Sequence, residues 1–161
     1  PPGICLVPEK RRELTTEGGL DVVGSASSLE AYIRPLKSAG CLVSVFIDPN
    51  IEQLDASLRV GAEAVELHTG NYCDATDASM QDIELQKLKM AAKYADKIGL
   101  EVRGGHGLTF GNVGPVAAIE ELVELNIGHF LIGEAIFSGL YGAIKRMRAL
   151  MDEARTRNDP V

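Results

Sequence analysis

Four passages of the chain share one rhythm: a segment of helical period, a glycine, a short apolar run, then small and polar residues. They are KSAGCLVSVFID, RVGAEAVELHTG, KIGLEVRGGHG and ELNIGHFLIG. Short apolar runs bounded by glycine predict buried strands. In the last passage the predicted strand is HFLIG, opened by His129 and closed by Gly133. GICLVP near the start predicts one strand more. Between the strands, apolar residues recur at helical spacing. Ile51, Leu54 and Leu58 share a face behind Asn50, a predicted N-cap. Met80, Ile83, Leu88, Ala91, Ala95 and Ile98 stripe a longer helix that Gly99 ends. Val116, Ile119 and Val123 mark a third, capped by Asn112. Leu140, Ile144, Met147 and Met151 mark another, which runs into the polar tail EARTRNDPV. Upstream, SSLEAYIRPLKSAG predicts a helix capped by Ser27 or Ser28 and kinked or shortened at Pro35.

Strand alternating with helix predicts parallel strands joined by crossovers, as an open doubly wound sheet or as part of a (β/α)8 barrel. The segment AVELHTG favours the barrel. Alternation puts Glu66 and His68 on one strand face and Val65 and Leu67 on the other. Helices on both faces of an open sheet would ask for apolar residues on both. A barrel instead turns one face inward, where polar groups at the C-terminal strand ends line the mouth. A barrel takes eight strands and about 250 residues, and five strands alone leave two open edges. The expectation is an α/β fold, a (β/α)8 TIM barrel of which residues 1–161 form the C-terminal part of a single domain. This chain would supply about strands four to eight. The opening PPGICLVPEK, with no initiator methionine, reads as a chain entered partway through.

Composition acts mainly by exclusion. With a net charge of -7 and no run of lysine or arginine, the chain suits neither nucleic acid nor an anionic membrane surface. A small phosphorylated ligand stays open, because a few backbone N–H groups can hold one inside an acidic protein. No apolar stretch approaches the roughly 20 residues of a membrane helix. Cys5, Cys41 and Cys73 are odd in number and lack CxxC spacing, so they read as thiols in a reducing compartment, by default the cytoplasm.

The three histidines, His68, His106 and His129, all fall at predicted strand boundaries. For an isolated histidine the first reading is a hydrogen-bonded structural residue. His106 differs, because Gly104, Gly105 and Gly107 surround it. Those glycines open the backbone to a ligand, or serve a tight strand-to-loop turn, or both. Glu66 at a barrel mouth reads as an acid/base group or as an ion-pair partner. A metal site from Glu66, His68, His106 and Cys73 lacks local spacing such as HxxxH to support it. GHFLIGEAIFSGL suits phosphate at a helix N-terminus after a late strand, with Glu134 opposing an anion there. EKRRELTTEGGLDV, with Thr15, Thr16, Gly18 and Gly19, reads as a loop for phosphate or a polyol, or as a solvated loop.

CLVPEKRRELTTEGGLDV, VSVFID, VELHTGNY, GGHGLTFGNV and LNIGHFLIGEAIF together resemble the pyridoxine 5′-phosphate synthase family in order and spacing, from Cys5 to about Arg155. The resemblance implies a (β/α)8 barrel assembled as a homo-octamer in the cytoplasm. It implies a transferase of vitamin B6 (pyridoxine) biosynthesis that condenses 1-deoxy-D-xylulose 5-phosphate with 3-amino-2-oxopropyl phosphate. The pyridine ring closes with loss of phosphate and water, and no metal or organic cofactor takes part. Carried over residue by residue, His106 is the proton donor and Glu66 a carboxylate that stabilises a transition state. Gly107, Gly128 and His129 contact the aminoketone phosphate, and Thr15 contacts the deoxyxylulose phosphate. An arginine is common in the family where Glu134 stands. The family's N-terminal NIDH segment, a histidine followed by an arginine, and a catalytic glutamate are not in this sequence. Two other readings remain: an incomplete barrel acting only in assembly or phosphate binding, and a different barrel enzyme acting on a sugar phosphate. Against the last, Lys97 and Lys145 sit in helical patterns, away from any strand that could carry a Schiff base.

Overall fold

The computed structural model describes residues 1–8 and 18–156. Five strands pair in parallel in the order they occur in the chain: β1 (Gly3–Leu6), β2 (Leu42–Ile47), β3 (Ala64–His68), β4 (Glu101–Gly105) and β5 (Leu122–Asn126). Each strand has its sequence neighbours beside it, so the order never reverses as it does in a doubly wound sheet. The fold is α/β. The crossovers carry helices α1 (Ala26–Ser38), α2 (Ile51–Arg59), α3 (Gly70–Asp74), α4 (Ala78–Lys97) and α5 (Val113–Ala117). After β5 come α6 (His129–Ser138) and α7 (Leu140–Thr156). Among the described residues no helix is long and apolar enough to cross a membrane.

Local chemistry sets the helix ends. Asn50 caps α2, its side chain accepting from the backbone N–H of Glu52 and Gln53, as the sequence predicts. Asp77 caps α4 by accepting from Met80 N, and Gly99 ends it at a φ of 90°. Two expectations need correction. Ser25, and not Ser27 or Ser28, is the N-cap residue of α1, which runs unbroken through Pro35. Asn112 precedes α5 but caps nothing with its side chain, whose Oδ1 accepts from Thr109 N at 2.7 Å.

The larger correction concerns the last strand. HFLIG is helical, the first half of α6, and the strand is Leu122–Asn126 immediately before it. The third helix accordingly stops at Ala117, short of Val123. Val102 pairs with Leu122 but Arg103 pairs with Glu124, so Val123 is an extra residue bulged out of the ladder and exposed. Strict alternation, which would have marked the strand, is broken at that point.

The two sheet faces diverge in chemistry. Val43, Val45, Ile47, Val65, Leu67, Val102 and Leu122 point outward into one core with Ile33 of α1, Leu54 of α2 and Leu88, Ala91, Ala92 and Ala95 of α4. Of the predicted stripes Leu54, Leu88, Ala91, Ala95, Val116, Ile119 and Met147 are buried, while Ile51, Leu58, Met80, Ile83, Leu140 and Ile144 remain exposed. The inward face carries Cys5, Ser44, Phe46, Glu66, His68, Arg103 and Asn126. Arg103 there bonds Glu101 at 2.6 Å and approaches Glu124 at 3.6 Å. Neighbouring strands are about 4.8 Å apart, so β1 and β5 would each lie nearly 10 Å from β3 in a flat sheet. Yet one oxygen of Glu66 on β3 receives Asn126 Nδ2 of β5 at 2.8 Å and the Cys5 thiol of β1 at 3.7 Å. The sheet therefore curls around its polar face.

Candidate active site

The strand register brings the predicted chemistry together at the C-terminal ends. Glu66 is level with Arg103, His68 with Gly105, and Gly105 with Asn126. A cavity of about 410 Å³ opens there, lined by Glu66, His106, Gly107, Asn126, Gly128 and His129, with Phe46 and Phe130 as apolar walls. Five of the six residues singled out from the sequence thus meet in one cavity. The sixth, Thr15, lies outside the described residues. His129 reaches the cavity as the first residue of α6 and not as the opening of a strand. Glu134, in the second turn of α6, is not among the lining residues.

His106 follows β4 directly and adopts a φ of 85°, the one described non-glycine residue with a positive φ. That region costs an L-residue of order 1–3 kcal/mol unless its surroundings enforce it. The enforcing contacts are visible. The Thr69 hydroxyl donates to the carbonyls of both Gly105 and His106. The flanking glycines have separate reasons. A Cβ on Gly105 would stand 2.5 Å from Glu66 Oε1 and 2.7 Å from the Asn126 carbonyl oxygen. Gly107 has a φ of 77°, and a Cβ there would press on Cys73 at 2.8 Å. Gly104 would make only ordinary contacts. Tight strand-to-loop geometry is thus a sufficient reason for Gly105 and Gly107. Of the two glycines lining the cavity, Gly128 is the one with nothing within 4 Å of an added Cβ.

Burial tunes the two ionisable groups in opposite directions, because it penalises the charged form of each. It raises the Glu66 carboxyl above its ordinary range, against the lowering effect of the hydrogen bonds from Asn126 and Cys5. It lowers the His106 imidazole below its ordinary range, and His68 and His129 push the same way while Asp74 opposes. Cys73 bonds the His106 carbonyl at 3.5 Å, and burial pushes its thiol up to about 11, so it stays protonated at neutral pH. Among the described residues no group of three or more His, Cys, Asp or Glu is arranged to hold a metal ion.

His68 is brought to the site but not into the cavity: it sits behind His106, nearly fully buried, with Nδ1 on Asp48 Oδ1 at 3.0 Å. Sequence reasoning passed over Asp48 and Asn126. Asp48 had a signal, since alternation from Ser44 and Phe46 through SVFID places a carboxylate on the inward face just past the strand. Asn126 was hidden by the misplaced last strand.

The chain matches the family model described as pyridoxal phosphate biosynthesis protein PdxJ over residues 1–153. It is 54% identical over 158 residues to the pyridoxine 5′-phosphate synthase of Ruegeria pomeroyi, covering 96% of this chain and 64% of that protein. It is 56% identical over 154 residues to the one from Rhodospirillum rubrum, covering 96% and 62%. The chain therefore spans somewhat less than two thirds of the length of these relatives. Among solved structures, the BexX/CysO complex of Amycolatopsis orientalis superposes with a TM-score of 0.59 at 15% identity, over 89% of this chain and 54% of that one. A mandelate oxidase variant with (S)-mandelic acid gives 0.53 at 17%, over 81% and 37%. At such identities these two share a fold and nothing more. The family match, by contrast, runs from ahead of β1 to the last turn of α7 at over half identity, and on that ground the chain belongs to the PdxJ family of pyridoxal phosphate biosynthesis proteins.

Proposed function

We propose that this chain is the C-terminal part of a pyridoxine 5′-phosphate synthase and carries the proton-donating half of its active site. The reaction joins 1-deoxy-D-xylulose 5-phosphate to 3-amino-2-oxopropyl phosphate and closes the pyridine ring, with loss of phosphate and water. The curled, consecutively ordered parallel sheet supports placing it as strands four to eight of a (β/α)8 barrel, with residues 1–161 inside that one domain. On the family pattern the complete protein works as an octamer in the cytoplasm.

One observation carries the reading: Glu66, His106, Gly107, Gly128 and His129 line a single cavity beyond the C-terminal strand ends. In this reading His106 delivers a proton during ring closure. Burial makes its imidazolium a stronger acid than free histidine, so it releases the proton readily. Glu66 faces the same cavity and offsets positive charge on an imine intermediate, an electrostatic role. Gly107, Gly128 and the start of α6 at His129 present backbone N–H groups and an imidazole to the aminoketone phosphate. Thr15 serves the deoxyxylulose phosphate.

The test is His106→Asn in the complete protein. Turnover should fall by about 10²- to 10⁴-fold, the usual worth of a general acid, with the Michaelis constants changed far less. Turnover at the parental rate would remove His106 from the chemistry.

A further inference from the structure

Behind the cavity lies a buried imidazole that the reaction, as assigned above, does not use. His68 is 6% exposed, and its Nδ1 meets Asp48 Oδ1 at 3.0 Å. An ionised carboxylate only accepts, so Nδ1 carries the proton and Nε2 faces the interior. Nε2 is buried without a hydrogen-bond partner among the described residues. The ring stands edge to face against His106, with centroids 4.8 Å apart, and Phe46 closes the other side at 5.1 Å from His68.

The next two residues serve the same neighbour. The Thr69 hydroxyl donates to the Gly105 and His106 carbonyls and so braces the backbone that gives His106 its positive φ. Gly70 supplies clearance for both rings: a Cβ there would fall 2.5 Å from His68 Nε2 and 3.1 Å from His106 Cδ2. His68, Thr69 and Gly70 thus form one continuous cradle, tied at its outer end to Asp48, which also accepts from Gly19 N at 3.2 Å.

We propose that Asp48 and His68 are positioning residues for His106: Asp48 fixes the His68 ring, and that ring sets the angle of the His106 imidazole. The inference rests on His106 being the proton donor. The other titratable groups around His106 are Cys73 and Asp74 on α3, Glu66 on β3, and His129 at the start of α6. Burial and His68 are the two largest influences holding its proton weakly, ahead of Asp74, which acts the other way, and His129. A weakly held proton in a braced ring is what a donor needs.

Two variants of the complete protein separate the parts. His68→Phe keeps a ring against His106 and removes the Asp48 bond. His68→Gln keeps a donor for Asp48 and removes the ring. The first readout is the titration midpoint of His106 by NMR, its signal assigned by its loss in His106→Asn. Both variants should raise that midpoint measurably, because His68 is among the influences that lower it. The second readout is kinetic: His68→Gln should lower kcat by about tenfold with KM within about twofold, and His68→Phe should lose less. An unmoved midpoint in whichever variants fold overturns the proposal, as does a pH profile unchanged in both. The titration needs no turnover, so the two readings can fail separately. If His106→Asn abolishes activity while the midpoint stays fixed, the proton donor stands and the positioning pair falls. If the midpoint moves but His106→Asn stays active, the coupling stands and the catalytic reading falls.

Discussion

Along β3, Val65 and Leu67 point one way and Glu66 and His68 the other, and the same split runs across the sheet. The outward side chains are close to fully buried, bond to nothing, and pack on α1, α2 and α4. The inward ones are polar or aromatic, and nearly all touch a group on another strand or just past its end: Cys5 and Asn126 on Glu66, Arg103 on Glu124, Asp48 on His68, His68 on His106. The difference teaches where each cost lies. Outward residues supply stability through area removed from water and are exchangeable among apolar residues of similar volume. Inward residues hold ionisable groups where desolvation works against their charged forms, a stability cost that is tolerable only if the tuned groups do something.

Leu67→Ala on the outward face should show the largest change in stability. At 1% exposure it should cost about 3 kcal/mol, read from the urea midpoint, and in the complete protein it should leave the proposed activity of the folded fraction near the parental level. A cost under about 1 kcal/mol would dissolve the contrast between the faces. Next comes Gly105→Ala on the inward face, which should cost about 2 kcal/mol through overpacking and also reduce turnover, because the new methyl displaces Glu66 and the Asn126 carbonyl. Loss of stability without loss of turnover would mean that the carboxylate has no fixed post.

The smallest effect has the most telling sign. Burial makes the Glu66 carboxyl a weaker acid in the folded chain than in the unfolded one. The folded state then binds the proton more tightly. The group's contribution is fully present below its ordinary value of 4.5 and is lost as pH rises through the raised folded value. Glu66→Gln has no such loss, so its stability relative to the parent should climb as pH rises above 4.5 and through the raised folded value, while its turnover falls. A relative stability that drops with pH would mean that the Asn126 and Cys5 bonds outweigh burial.

Much of this arrangement was legible from sequence, and the parts that were not share a cause. Strands β1 to β4 announce themselves because each apolar run is flanked by glycine or turn residues, and AVELHTG displays both faces in one line. Glu66 and His106 stand out for the same reason, as polar residues where packing alone would place none. The last strand failed because the most apolar run after Val113, HFLIG, belongs to a helix whose residues are nowhere fully buried. Hydropathy tracks burial, and α6 has little among the described residues to bury it. Asp48 and His68 form a pair only through the alignment of β2 with β3, where Ile47 pairs with Leu67. A register between strands 20 residues apart has no local signature in the chain.

The bulge at Val123 works like a shift of reading frame. Leu122 ahead of it and Asn126 behind it have the same parity, yet Leu122 joins the outer core and Asn126 reaches Glu66. At that spacing only a residue bulged out of the ladder lets one short strand serve both addresses. Flattening the bulge with Val123 kept in the ladder would exchange the two alternating sets beyond it, turning Leu125 inward and Asn126 outward at a stroke, whereas most single substitutions in β5 disturb one position. A chain lacking Val123 would instead keep Leu122 outward and Asn126 inward by ordinary alternation, so this strand can shorten by that one residue without changing which side chain faces the cavity.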